Sequence, residues 1–250
     1  TQYCNEHKLP LRKRLQLFVD VCHAIQHAHQ KGIIHRDIKP SNVLIASHDG
    51  VPVVKIIDFG VAKAINQQLT DQTVYTRFAQ VIGTPLYMSP EQAGMNSLDI
   101  DTRSDIYSLG VLLYELVTGS TPFERGRLAR VGFDEMRRIV REEDPPLPSS
   151  RISGLGDTAT EIGQLRQMDP GRLRQTVKGD VDWIVMKALE KDRDRRYETA
   201  NGLALDINRY LENQPVLAGS PTTAYRIKKF IRRNRTMVTA GSLVVVALTL

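Results

Sequence analysis

Residues 35–42 read HRDIKPSN, residues 58–60 read DFG, and residues 83–91 read GTPLYMSPE. Each residue type in these motifs is common in turns and loops when it occurs alone. Together the motifs are far more specific, because their order and spacing must also coincide. The motifs contain carboxylate, amide and hydroxyl groups and a lysine. The first half of the chain therefore holds the residues best suited to catalysis and to metal binding.

The sequence around these motifs predicts mostly helix. Apolar residues recur at steps of four and three from Leu11 to Ile25, which places them on one face of a helix. That helix is predicted to end near residues 31–32, where a lysine precedes a glycine. Further helices are predicted over 106–119, 181–189 and 199–211, with short helices joined by loops over 124–180.

Short β-branched runs predict the strands. They occupy residues 33–34, 43–45 and 53–57, and turn-forming residues at 47–50 separate the last two runs. A small sheet that contains a hairpin is therefore expected directly after the first motif. Residues 67–80 are polar, rich in threonine and without periodicity, which predicts a mobile loop.

In these motifs the chain resembles serine/threonine protein kinases of the Hanks type, and bacterial members in particular. The resemblance covers residues 1–212 and implies an α+β protein-kinase-like fold. It corresponds to the mainly α-helical C-terminal lobe with a short β-hairpin, and the smaller N-terminal lobe is expected to be absent from this sequence. Ser89 replaces the commoner alanine before Pro90 and Glu91, a small change that is expected to leave the turn intact.

The resemblance implies transfer of the γ-phosphate of ATP to serine or threonine hydroxyls of protein substrates. Asp37 is then the catalytic base, Lys39 steadies the transferred phosphate of ATP, and Thr84 reaches both of them. Asn42 and Asp58 are the ligands of Mg²⁺ or Mn²⁺, which agrees with the preference of hard cations for oxygen. A lysine at position 39 is typical of serine/threonine rather than tyrosine kinases.

Other residues have architectural roles in the resemblance. His35 is expected to be packed inside the lobe and not to act as an acid or a base. Asp105 is expected to accept hydrogen bonds from the backbone of the catalytic loop. Glu91 is expected to pair in a buried site with Arg196, while Arg195 as the partner, or a solvated run of charges at this place, remain alternatives.

The segment that starts at Gly60, the last residue of DFG, is expected to be regulatory. An arginine before the catalytic aspartate, here Arg36, resembles kinases that are controlled by phosphorylation of this segment, since a phosphate could pair with its guanidinium. Candidate sites are Thr70, Thr73 and Thr76. Self-association of the protein is one way in which autophosphorylation could occur, because one copy could then modify another.

The net charge of +6 comes from one short segment. Residues 225–235 (YRIKKFIRRNR) hold six basic residues and no acidic one, and without those six the chain has 28 basic and 28 acidic residues. The 14 residues at 237–250 are uncharged, against the roughly 20 that a spanning helix needs. Residues 213–236 are predicted to be a basic juxtamembrane linker, and 237–250 the start of a truncated transmembrane helix.

These features predict a location for the protein. Basic residues beside a membrane helix mark its cytoplasmic side, so a membrane-anchored, single-pass protein with a cytoplasmic kinase domain is expected. The two cysteines are too few for a disulfide framework, which fits a reducing compartment. The alternatives are a buried core helix at 237–250 and a nucleic-acid-binding tail at 225–235. The uncharged run that follows the tail disfavours nucleic acid as a partner.

The expected absence of the N-terminal lobe limits what these 250 residues can do alone. In the family that lobe carries the glycine-rich phosphate loop and its lysine, so the chain by itself is expected to bind ATP weakly or not at all and to transfer no phosphate. A pseudokinase that serves as a scaffold is the main alternative class. The presence of Asp37, Lys39, Asn42 and Asp58 argues against it.

Overall fold

The computed structural model describes residues 1–59, 85–94, 100–156, 158–219 and 222–234, which form a mainly helical lobe with a two-stranded sheet. The helices are α1 (Gln2–Glu6), α2 (Leu11–Gln30), α3 (Pro90–Ala93), α4 (Thr102–Thr118), α5 (Arg125–Arg130), α6 (Phe133–Glu142), α7 (Pro148–Ser153), α8 (Thr158–Leu165), α9 (Pro170–Val177), α10 (Asp180–Ala188), α11 (Ala200–Leu211) and α12 (Thr223–Arg233). The strands are β1 (Val43–His48) and β2 (Val51–Ile56), and short 3-10 turns lie at Pro40–Asn42, Pro85–Tyr87 and Arg193–Arg195.

The helix α2 buries one face and supports the sheet. Leu15, Phe18 and Ile25 on its apolar face are all buried, and the helix packs against α11 and β2. It ends at Gln30, and Gly32 adopts a φ of 74°, a left-handed conformation that glycine accommodates without a steric penalty. The predicted helix and its end are therefore confirmed.

The two strands form an antiparallel hairpin. Val43 lies opposite Ile56, and His48 lies opposite Val51. The two-residue turn at 49–50 has φ angles of 50° and 77°, and two positive values are what a type I′ turn requires. The hairpin predicted from the β-branched runs is confirmed.

The strand predicted at residues 33–34 is wrong. The amide of Ile33 donates a hydrogen bond to the carbonyl of Ala28 at the end of α2. The amides of His35 and Arg36 donate to the side chain of Asp105. This described segment therefore pairs with neither strand, because its hydrogen bonds close a helix and engage a carboxylate instead.

The helix α4 runs through the core and is buried on most of its circumference. Asp101 caps its start by accepting a 2.7 Å hydrogen bond from the amide of Arg103, and Gly119 ends it with a φ of 82°. A Cβ at Gly110 would lie 2.9 Å from the Cβ of Ala188 in α10. Glycine at this position therefore lets α4 and α10 approach closely, and the helix predicted over 106–119 is confirmed.

The remaining helices agree with most of the pattern-based predictions. Short helices joined by loops were expected over 124–180, and α5 to α9 occupy that stretch. Helices α10 and α11 match the predictions at 181–189 and 199–211. Helices α1 and α12 were not predicted, and α12 lies within the segment 213–236 that was expected to be a linker.

Among the described residues, no helix combines the length and the apolar character that crossing a membrane requires. The predicted membrane segment at 237–250 and the predicted loop at 67–80 both lie outside the described residues. The two cysteines, Cys4 and Cys22, are buried free thiols, and burial raises the pKa of both.

Candidate active site

The open end of the hairpin brings Asn42 and Asp58 to one place. Val43 pairs with Ile56, and the amide of Ile57 donates a 3.0 Å hydrogen bond to the carbonyl of Asn42. Asn42 directly precedes β1 and Asp58 follows β2 by two residues, so they flank the same end of the ladder. The HRDIKPSN and DFG motifs therefore meet because the hairpin folds the chain back on itself.

Asp37 is held by two neighbours in its own loop. The ammonium of Lys39 lies 2.8 Å from Asp37 Oδ2, and Asn42 Nδ2 donates a 2.8 Å hydrogen bond to the carbonyl of Asp37. The 3-10 turn that follows brings Asn42 close to Asp37. In this turn the backbone amide of Asn42 donates a 3.0 Å hydrogen bond to the carbonyl of Lys39. The side chains of Asp37 and Lys39 are 16% and 23% exposed, so a substrate could reach both of them.

Asp58 has an unusual backbone conformation. Its φ is 56°, in the left-handed region that few residues other than glycine occupy. Such conformations cost free energy and cluster at functional sites. The Asp58 side chain is exposed, which leaves its carboxylate accessible at the end of the hairpin.

His35 lies in the interior, as a structural residue would. It is fully buried, and its ring packs at 4.7 Å between centroids against Phe59 of the DFG motif. Its Nδ1 accepts from the amide of Asp37 at 3.3 Å, and its Nε2 lies 3.1 Å from the carbonyl of Ile57. These partners require the hydrogen to be on Nε2, so the ring links the two motifs.

Asp105 attaches the catalytic loop to α4. One carboxylate oxygen accepts from the amide of His35 and the other from the amide of Arg36, each at 2.8 Å. His29 Nε2 also lies 2.7 Å from Asp105 Oδ2. Arg36 has a φ of 64°, and the paired hydrogen bonds stabilise this strained backbone immediately before Asp37.

The residues after Tyr87 hold the loop from the other side. Ser89 caps α3 together with Gln92, each side chain accepting from the other residue's amide, which is a capping box. Gln92 Nε2 then donates a 2.8 Å hydrogen bond to the carbonyl of Arg36. Ser89 is therefore a helix cap as well as a small residue in a turn.

The structure places Arg196, and not Arg195, on Glu91. Arg196 is fully buried and donates 2.8 Å hydrogen bonds to both carboxylate oxygens. Its remaining N–H groups bond to carbonyls, so all five donors of the guanidinium are used. Arg195 is 70% exposed and lies 3.5 Å from Glu190 instead.

The environment of Glu91 favours its ionised form. Burial by itself would raise the pKa of the carboxyl group. Arg196, through its hydrogen bonds and its charge, and Ser104, through a 2.6 Å hydrogen bond from its hydroxyl, both favour the carboxylate. Together they outweigh burial and hold the pKa of Glu91 below its usual value. Glu91 and Arg196 therefore form a buried ion pair that joins α3 to the segment after α10.

The donor set fits a magnesium–nucleotide complex. The described residues contain no group of three or more His, Cys, Asp or Glu side chains that could enclose a metal by themselves. Mg²⁺ is usually held by one or two protein oxygens together with phosphates and water. Asn42 Nδ2 is bonded to the carbonyl of Asp37, and Ser41 Oγ lies 3.4 Å from Asn42 Oδ1. A second lone pair of that oxygen would be available to a metal, and the exposed carboxylate of Asp58 would be a second ligand.

Comparison with known proteins agrees with this geometry. A family model described as "Protein kinase domain" matches residues 2–205. The chain belongs to the protein kinase family. The α+β kinase-like fold predicted from the motifs, with its helical lobe and two-stranded sheet, is confirmed.

Similar kinases come from bacteria. Serine/threonine-protein kinase PknB of Mycobacterium leprae is 38% identical over 207 residues, which is 83% of this chain and 28% of that protein. PknB of Mycolicibacterium smegmatis is 37% identical over 203 residues, or 81% of this chain and 27% of that protein. The chain thus spans 27–28% of the length of these relatives.

A solved structure shows the same fold. The PknI kinase domain of Mycobacterium tuberculosis, as a C20A_R136A double mutant, superposes with a TM-score of 0.51 at 23% identity. The match covers 83% of this chain and 62% of that one. The fold is therefore that of a kinase domain over most of the chain.

Several sequence-predicted residues of the kinase site lie outside the described residues. They are Gly60, Thr70, Thr73, Thr76 and Thr84. Their roles stay predictions, as does the contact of Thr84 with the catalytic loop.

The structure also adds positioning residues that the motifs did not reveal. His29 contacts Asp105, Gln92 contacts the carbonyl of Arg36, and Ser104 contacts Glu91. The spacing of Ser89 and Gln92 is a capping-box signature and could have been recognised. His29 and Ser104 act across elements, so nothing in their local sequence identifies them.

Proposed function

We propose that this protein is a serine/threonine protein kinase that transfers the γ-phosphoryl group of ATP to protein hydroxyls. The observation that carries the proposal is the cluster of Asp37, Lys39 and Asn42, in which Lys39 Nζ is 2.8 Å from Asp37 Oδ2 and Asn42 Nδ2 is 2.8 Å from the Asp37 carbonyl. The bacterial serine/threonine kinases to which the chain is similar support it.

Each residue of the cluster has a role that follows from its chemistry. Asp37 accepts the proton of the attacking hydroxyl, and the hydrogen bonds around its backbone fix the direction of its carboxylate. Lys39 places a positive charge beside that carboxylate, where negative charge of a transferring phosphoryl group would be stabilised. Three hydrogen bonds stabilise the conformation of this loop. Asp105 accepts from the amide of His35, the ring of His35 accepts from the amide of Asp37, and Gln92 donates to the carbonyl of Arg36.

Asn42 and Asp58 would hold the metal. Mg²⁺–ATP, when bound, supplies the phosphoryl group and neutralises charge on the phosphate oxygens. The hairpin register keeps Asn42 and Asp58 at the same end of the sheet. Loss of either side chain is therefore expected to weaken metal-dependent nucleotide binding more than it weakens folding.

The activity test uses the complete polypeptide in which this sequence occurs, with radiolabelled ATP, Mg²⁺ and a generic protein substrate. Wild type is expected to label serine or threonine, and Asp37→Asn to lose activity by about 10²- to 10⁴-fold. Asp134→Asn is the matched control, because that side chain is 92% exposed.

Three results would contradict the proposal. They are full activity in Asp37→Asn, label confined to tyrosine, and absence of transfer by a folded wild-type protein. The last of these would favour a pseudokinase that serves as a scaffold. The expectation that residues 1–250 lack the N-terminal lobe, and alone transfer no phosphate, stays a prediction, which the same assay checks on this chain.

Regulation and location belong to the same proposal. Autophosphorylation at Thr70, Thr73 or Thr76 would add a phosphate that could pair with the guanidinium of Arg36, and self-association would allow one copy to modify another. A phosphopeptide map of active protein that lacks all three modifications would contradict this part. Membrane anchoring through 237–250, with the kinase lobe in the cytoplasm, is supported by the uncharged run and the basic residues before it.

A further inference from the structure

Two residues one turn apart attach α12 to the lobe. The hydroxyl of Tyr225 donates a 2.9 Å hydrogen bond to one carboxylate oxygen of Asp180, and the ammonium of Lys229 pairs with the other. The ring of Tyr225 also meets Trp183 edge to face, with 5.5 Å between centroids. Residues four apart share one face of a helix, so this face of α12 is attached to the start of α10.

The opposite face of α12 is apolar and exposed. Ile227, Phe230 and Ile231, which we call the apolar face, are 53%, 55% and 45% exposed. Two residues along an α-helix correspond to a rotation of about 200°, so Ile227 and Ile231 lie nearly opposite Tyr225 and Lys229. The apolar face therefore lies on the side of α12 away from Asp180, and its three side chains are not part of the buried core.

The flanks of this face are basic. Arg226 and Arg233 are exposed, and with Pro215, Ile227 and Phe230 they line a shallow cavity of about 320 Å³. Residues 225–235 contain six basic residues and no acidic one. Large apolar side chains with basic flanks are typical of helices that lie in the interface of an anionic bilayer.

A second copy of the chain and a nucleic acid are two other molecules that could bind this face, and both fit its character less well. Two copies of the chain would bring two sets of uncompensated basic flanks together, which is unfavourable. A nucleic acid would pair with the arginines and leave three large apolar side chains in water. The uncharged run at 237–250 begins a few residues after α12, so the sequence next to the helix also favours a lipid environment.

We propose that α12 is an interfacial membrane-binding helix. It inserts Ile227, Phe230 and Ile231 between the headgroups of an anionic bilayer while Asp180 keeps it attached to the kinase lobe. The attachment would hold the lobe in a defined orientation at the lipid surface. This proposal needs neither kinase activity nor a spanning helix at 237–250.

An environment-sensitive label on the apolar face tests the insertion. Phe230→Cys is labelled with the fluorophore NBD in the whole chain, since Cys4 and Cys22 are buried. Vesicles of phosphatidylglycerol and phosphatidylcholine are expected to raise the emission about threefold or more, as the label leaves water. The matched control is Glu142→Cys, at a side chain of α6 that is 53% exposed, and its emission is expected to stay unchanged.

The role of charge is tested on the same labelled chain. Each basic residue near an anionic surface contributes about fivefold to partitioning, so Arg226→Gln with Arg233→Gln is expected to weaken binding about 25-fold. High salt should weaken it as well. Neutral phosphatidylcholine vesicles are expected to change the emission little. Circular dichroism of each variant checks that the fold is retained.

Other outcomes would overturn the proposal. If the chain sediments with vesicles while the label at position 230 stays in water, the membrane is bound elsewhere, for example through 237–250. A change in emission that depends on protein concentration without vesicles would assign the face to a second copy. Equal emission with neutral and anionic vesicles would remove the role given to the basic flanks.

Discussion

The guanidinium of Arg196 donates 2.8 Å hydrogen bonds to both carboxylate oxygens of Glu91, which lies 105 residues earlier in the chain. The Arg196 side chain is fully buried and that of Glu91 is 10% exposed. Removal of one partner from such a pair leaves an uncompensated buried charge, which is far more costly than the loss of a surface ion pair. This ion pair therefore allows a quantitative test.

Arg196→Met is expected to lower the free energy of unfolding by about 3–5 kcal/mol, because the carboxylate of Glu91 loses its partner. Arg195→Met is the matched control, since its side chain is 70% exposed, and it should change the free energy by less than about 0.5 kcal/mol. Urea denaturation followed by circular dichroism measures both. Equal stabilities would contradict the structural role of the pair.

The same pair predicts a dependence on pH. The folded-state pKa of Glu91 lies below its ordinary value of 4.5, so its contribution to stability is complete above about pH 4.5 and is lost as pH falls through the folded pKa. Glu91→Gln should therefore differ from wild type by a constant amount between pH 5 and 7, and by less at lower pH. Denaturation curves at several pH values, with exposed Glu142→Gln as control, show whether the difference shrinks.

Asp105→Asn is expected to loosen the backbone just before Asp37. Charge-assisted hydrogen bonds contribute about 1.5–3 kcal/mol each, so exchange of the amides of His35 and Arg36 should accelerate about 10- to 100-fold. Hydrogen exchange followed by NMR or mass spectrometry measures this without any need for activity. In Asp134→Asn the same amides should exchange at the wild-type rate, and unchanged rates in Asp105→Asn would count against the attachment.

Lys191 provides a test at alkaline pH. Burial, assisted by the charge of Arg196, lowers its pKa to about 8, while its Nζ donates a 2.6 Å hydrogen bond to the carbonyl of Val140. Between pH 8 and about 10.4 the folded state binds fewer protons than the unfolded state, so stability should rise with pH. The unfolding free energy of wild type relative to Lys191→Met should thus increase from pH 7.5 to 9.5, and a flat difference would contradict the lowered pKa.

Local patterns predicted much of the fold. The apolar spacing from Leu11 to Ile25, the turn at 49–50 and the glycine at 119 each act within a few residues, and the corresponding elements formed where expected. The strand at 33–34 failed because the amide of Ile33 donates to the carbonyl of Ala28 at the end of α2. The amides of His35 and Arg36, which follow, donate to Asp105, a side chain far along the chain. A β-branched run carries no information about such a partner.

The candidate site was likewise predicted where it depends on local sequence and missed where it depends on long-range packing. The motifs identified Asp37, Asn42 and Asp58, but only the register of the hairpin explains why Asn42 and Asp58 meet. The contacts of His29 and Ser104 depend on how α2, α3 and α4 pack. The segment of α12 was interpreted through its charge alone, and Ile227, Phe230 and Ile231 at helical spacing were the signal that this interpretation missed.

The first turn of α4 carries two adjacent polar residues with different partners. Ser104 bonds to Glu91 at 2.6 Å, and Asp105 bonds to the amides of the catalytic loop at 2.8 Å. The first turn of α4 is therefore a shared attachment point for two segments. They are the loop that carries Asp37 and the helix that follows Ser89. A small tilt of α4 would shift both together, so a substitution deep in the helical core could reduce the proposed phosphoryl transfer while Asp37, Lys39 and Asn42 are all still present.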